Sequence, residues 1–105
     1  MVFLLGPILA GIAVGLGTAA VITLIVLYWD TIVDWFQSRT KLKQSDKDII
    51  AFTIKQELEK GKVPVVQGMF NKRTNEVLDG QKYEAEELDE ELEKHHRGEP
   101  LVIYE

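Results

Sequence analysis

From Val2 to Trp29 the chain carries no charged side chain. This run limits what the polypeptide can become more than any other feature. A lipid core about 30 Å thick needs roughly 20 apolar helical residues to cross it, and FLLGPILAGIAVGLGTAAVITLIVLYW meets that length. A cleavable signal peptide is a poor fit. No Lys or Arg precedes Arg39, and the hydrophobic run continues through Val21 to Leu27, past the small residues Gly17, Ala19 and Ala20. The fold class expected is therefore a single-pass transmembrane α-helix with a small α+β (α-β-β-α-β) extramembrane domain. Its boundaries are residues 1–29 for the span, 30–44 for an amphipathic juxtamembrane helix and 45–105 for the domain.

Small residues in the span form two stripes at helical spacing. One holds Gly6, Ala10, Ala13, Gly17 and Ala20. The other runs through Gly11 and Gly15 in the GxxxG match GIAVG. Such faces let helix backbones approach closely where lipid supplies no hydrophobic drive, so other transmembrane helices are the expected partners. Tyr28, Trp29, Trp35 and Phe36 suit the bilayer interface. The first basic residues, Arg39, Lys41 and Lys43, lie on the same side, which puts the domain on the cytoplasmic side and the N-terminus outside.

The remainder reads as alternating elements. Ser45 and Asp48 resemble a capping box ahead of a helix over 46–60, with Ile50, Ile54 and Leu58 on its apolar face. KVPVVQGMF and EVLDGQKYE form a hairpin in which Asn75 takes the left-handed position, with an irregularity at Asp79 and Gly80. AEELDEELEKHHRG predicts a second helix, with Glu86, Glu87 and Asp89 in its first turn and His95 and His96 capping its end. LVIYE predicts a terminal strand, inserted in the sheet or added to a partner's. The expected core is Ile50, Ile54, Leu58, Val65, Phe70, Val77, Leu88, Leu92 and Ile103.

The chain offers little for catalysis. It has no Cys, no G-x-S-x-G elbow and no glycine-rich phosphate loop. Adjacent His95 and His96 diverge on a helix and cannot share a metal as an i, i+4 pair does. The absence of Cys also fits a reducing compartment. A net charge of −5 disfavours nucleic acid as a partner. No enzyme activity, cofactor or metal is expected.

The function expected is a non-catalytic accessory or assembly subunit of a larger membrane complex. The alternatives are a homo-oligomeric, holin-like pore, or a membrane tether that recruits a soluble protein. Such a partner would dock on Glu86, Glu87 and Glu90 or along Leu101, Val102, Ile103 and Tyr104.

Overall fold

In a computed structural model, which describes residues 5–16, 19–58 and 60–104, the hydrophobic run does not form a long helix. It forms α1 (Leu5–Gly15) and then β1 (Val21–Leu27). No helix among the described residues is long and apolar enough to cross a membrane. The 11 residues of α1 extend about 16 Å at 1.5 Å per residue, half the thickness of a lipid core. Beyond it, Val21, Ile22, Thr23, Ile25 and Val26 are β-branched. Their side chains lose rotamer freedom in a helix and pack well on a pleated surface. Apolar content alone does not separate these two outcomes. The single-pass membrane assignment, its cytoplasmic orientation and the three membrane functions built on it are therefore corrected.

The chain continues through α2 (Trp29–Gln37), α3 (Thr40–Gln44), β2 (Ile49–Lys55), β3 (Val63–Asn71), β4 (Glu76–Leu88), α4 (Glu90–His96) and β5 (Leu101–Tyr104). The strands form one mixed sheet in the order β1-β4-β3-β2-β5. β1 pairs parallel to β4, and the other pairs are antiparallel. The architecture is thus α+β with a five-stranded sheet, in which the apolar run expected to span a membrane supplies one helix and one edge strand.

Residues 46–60 give a strand in place of the expected helix. Ile50 and Ile54 are four apart, which fits either period, but Phe52 between them completes a period of two. Nearly every side chain of β2 is buried, because helices cover both faces of the sheet there. Leu58, expected in the core, is 65% exposed. On one face, Ile8 and Leu16 pack over Ile50, Phe52, Ile54, Val66 and Phe70. On the other, Ile32 and Leu92 join Leu27, Val65, Tyr83 and Ala85. Trp35, Phe36 and Leu42 close over Ile49, Ala51 and Met69.

The hairpin forms between β3 and β4, with Asn75 at φ 60°. Met69 pairs Asp79 and Phe70 pairs Val77, so Leu78 bulges beside the expected irregularity at Asp79 and Gly80. β4 then runs on to Leu88, absorbing Glu86 and Glu87, which were expected on a helix. α4 begins only after Asp89, whose carboxylate caps it by accepting the Leu92 N–H at 2.8 Å.

Candidate peptide-docking edge

β5 ends the sheet, and its ladder with β2 fixes which backbone groups remain available. The Lys55 N–H donates to the Pro100 carbonyl at 2.8 Å. Bonded pairs alternate in an antiparallel ladder. Thr53 with Val102 and Ala51 with Tyr104 are therefore the next bonded pairs. The N–H and C=O groups of Leu101 and Ile103 point away from the sheet. The side chains of Leu101 and Ile103 pack into the α1-side core, so the outward row is anchored from behind.

Beneath β5 lies a polar chain. Thr53 of β2 is 0% and His96 of α4 1% exposed, and the β2 residues from Ile49 to Ile54 are apolar apart from Thr53. His96 Nδ1 lies 2.9 Å from the Glu99 carbonyl, which can only accept, so Nδ1 carries the proton. Nε2 then accepts from Thr53 Oγ1 at 2.9 Å, and Thr53 Oγ1 accepts from the Tyr104 hydroxyl at 3.0 Å. Burial pushes His96 below its ordinary pKa, which agrees with the neutral tautomer. Burial likewise raises the Tyr104 phenol.

The order Thr–His–carbonyl resembles a hydrolytic relay, but its hydroxyl has no access to solvent. It ties β2, α4 and β5 into one rigid unit. A second buried pair works the same way further in. Gln67 donates to the Ile32 carbonyl at 3.1 Å and accepts from the Tyr83 hydroxyl.

No protein-family model, curated protein or solved structure matches this chain.

Rings and cations flank the open edge. The Tyr104 ring sits 5.8 Å from Trp29, 5.6 Å from Phe36 and 6.0 Å from His95, while His95 stacks on Trp29 at 4.0 Å. A depression of about 410 Å³ at the Leu101 end is lined by His95, Arg97 and Glu99. Another of about 430 Å³ at the Tyr104 end is lined by Phe36, Thr40 and Lys43. Among the described residues, neither Lys43 nor Arg97 takes part in an ion pair. Arg97 is held at φ 44° as the left-handed end of α4, followed by Gly98 at φ 83°.

The residues singled out in the sequence are dispersed. Leu101 to Tyr104 form the edge itself. Trp29, Phe36 and Lys43 meet it from α2 and α3, on a sheet face where a bilayer interface was expected. Trp35 packs edge-on to Phe36 and lies under the Arg39 guanidinium, 3.8 Å from its ring centre, and Arg39 also pairs with Asp79 at 2.8 Å. Tyr28 and Lys41 are exposed. Glu86 and Glu87 lie on β4 and Glu90 on α4, so the expected acidic helix face does not form.

Among the described glycines of the small-residue stripes, none has a second helix within 4 Å of an added Cβ. Gly11 and Gly15 lie against Val77 of β4, where an added Cβ would come within 2.8 Å of a Val77 methyl or 3.2 Å of its carbonyl. Gly6, Ala10, Ala13 and Ala20 are exposed, and Gly17 lies outside the described residues. Thr53 and Gln67 were not identified from sequence. The available signal was a lone polar residue inside each of two apolar runs, IIAFTI and VPVVQGMF.

Proposed function

We propose that this protein is a non-catalytic recognition module that takes an extended acidic peptide segment as an added strand along β5. The observation that carries this reading is the outward row of Leu101 and Ile103 backbone groups on a strand braced by the Thr53–His96–Tyr104 chain. Strand addition gains affinity from main-chain bonds and specificity from pockets for alternate side chains. Lys43 and Arg97 place two cations on the rim against the single carboxylate of Glu99, in a chain of net charge −5, so acidic side chains opposite those two positions are favoured. The Tyr104, Trp29 and Phe36 rings offer contact area with little entropy to lose. The closed position of Thr53 and His96 supports a structural use of that chain over turnover.

Four main-chain bonds at about 1 kcal/mol net each correspond to a Kd on the order of 1 mM, which the rim charges tighten and the ordering of the peptide weakens. The probe is a blocked peptide of alternating Val and Glu, titrated against the full chain by fluorescence of its tryptophans. It is expected to bind, and to weaken as salt is raised. The alternating Val and Lys peptide is expected not to bind. In the Lys43→Glu, Arg97→Glu double variant the preference should invert. Equal binding of both peptides to that variant, or no binding to the native chain, would reject the proposal.

A further inference from the structure

The opposite margin of the sheet differs in kind from β5. β1 (VITLIVL) carries no charge, proline or bulge, the usual guards of an edge strand. Ile25 is 72% exposed, and Val21, Ile22 and Thr23 are exposed beside it. Neither α1 nor the helices of the other face cover them.

The parallel ladder fixes the outward groups. The Asp89 N–H donates to the Leu27 carbonyl at 3.0 Å, and Leu27 is in register with Leu88. In a parallel pair, alternate residues of one strand make both bonds to the neighbour. Leu27, Ile25, Thr23 and Val21 therefore bond toward β4, while Ile22, Leu24 and Val26 present their N–H and C=O groups outward.

We infer that β1 pairs antiparallel with β1 of a second copy about a two-fold axis at Leu24, joining two sheets into one. The strand is self-complementary in that register. Leu24 meets Leu24 of the second copy and Ile22 meets its Val26, both as bonded pairs. Thr23 meets Ile25 and Val21 meets Leu27 in the intervening positions. Every cross-strand pair is aliphatic or β-branched, the class that stabilises sheets, and no like charges face one another. An isologous contact of this kind closes on itself.

Charge stands only weakly against a second copy. The acidic residues Glu84, Glu86 and Glu87 lie on β4, one strand inward. Across the joint, the two β4 strands are about 14 Å apart, three spacings of about 4.8 Å. That exceeds the screening length of about 8 Å at physiological ionic strength, so the net charge opposes association only weakly.

The test is sedimentation of the full chain over a concentration series. A monomer–dimer equilibrium is expected. Ile25→Lys places a cation in the joint and is expected to weaken the dimer by more than about tenfold. Val14→Lys, an exposed change on α1 away from β1, should leave it intact. A second measurement needs no variant: amide exchange at Ile22, Leu24 and Val26 should slow as concentration rises. A native chain that stays monomeric up to about 1 mM, a dimer indifferent to Ile25→Lys, or exchange at those amides independent of concentration would overturn the inference.

Discussion

The Asp89 carboxylate joins two helices, because one oxygen accepts the Trp29 N–H at the start of α2 while the other accepts the Leu92 N–H inside α4, each at 2.8 Å. The residue before Trp29, Tyr28, offers no side-chain cap, so Asp89 supplies from across the sheet what α2 lacks locally. The Asp89 N–H also donates to the Leu27 carbonyl, and one residue thus fixes the end of β1 and the starts of both helices.

Removing that carboxylate should cost more than an ordinary cap. Asp89→Ala leaves both N–H groups unpaired and should destabilise the fold by about 2–3 kcal/mol, twice the usual cap value of about 1 kcal/mol or somewhat more. Asp89→Asn retains one accepting oxygen and should fall between Ala and the native residue. Urea midpoints at constant m-value measure both.

Acid should act through His96. Its folded pKa is depressed chiefly by burial, with the unfolded value near 6.5. Below about pH 6.5 the unfolded chain binds a proton that the folded chain resists, so stability falls as pH drops. The slope reaches at most about 1.4 kcal/mol per pH unit and ends at the folded pKa. Above about pH 7 this contribution is flat. His96→Asn should remove the His96 part of the slope just below about pH 6.5 in a series of denaturant midpoints, even though it lowers stability throughout.

A matching loss is expected in alkali. Tyr83 is pushed up to about 12, mainly by burial, while an unfolded tyrosine titrates near 10. Between these values the unfolded chain is ionised and the folded one is not, so stability declines as pH rises. Tyr83→Phe should flatten that decline at the cost of leaving the Gln67 carbonyl oxygen unpaired, about 1–3 kcal/mol.

Glycines should divide by what surrounds them. A Cβ on Gly68 would lie 2.7 Å from the Phe52 ring and 2.8 Å from the Asp79 carbonyl, so Gly68→Ala should destabilise by about 1–3 kcal/mol or more. Gly6 has nothing but its chain neighbours within 4 Å, yet it precedes Pro7 in the first turn of α1, where an added Cβ meets the proline ring and offsets the helical preference for Ala. Gly6→Ala should therefore leave the melting temperature nearly unchanged, and the two variants measured together check the packing of both elements.

How much of this was legible in the sequence depended on whether the deciding interactions were local. The hairpin could be read because Asn75 occupies a conformation that few residues accept. The edge residues Leu101 to Tyr104 could also be read as a strand, since Pro100 and a β-branched run mark it within a few positions. The run from Val21 to Leu27 could not be assigned by hydrophobicity, because a buried or edge strand and a lipid-facing helix ask for the same apolar residues. Ile50 and Ile54 satisfied both periods, and only burial from two sides chose the strand. Glu84 to Glu87 favour helix by propensity, yet Tyr83 and Ala85 pack inward and β1 pairs alongside, so distant contacts prevailed. At the site, Thr53 with His96 and Trp29 with His95 join residues far apart in the chain, a juxtaposition no local pattern encodes.

Amide exchange at two positions tests the central claim most directly. With the full chain held at fixed concentration, the alternating Val and Glu peptide should slow exchange of the outward Leu101 and Ile103 N–H groups. Val102 and Tyr104, already bonded to β2, should change far less. Saturating peptide that leaves Leu101 and Ile103 exchanging at their free rates would contradict strand addition along β5.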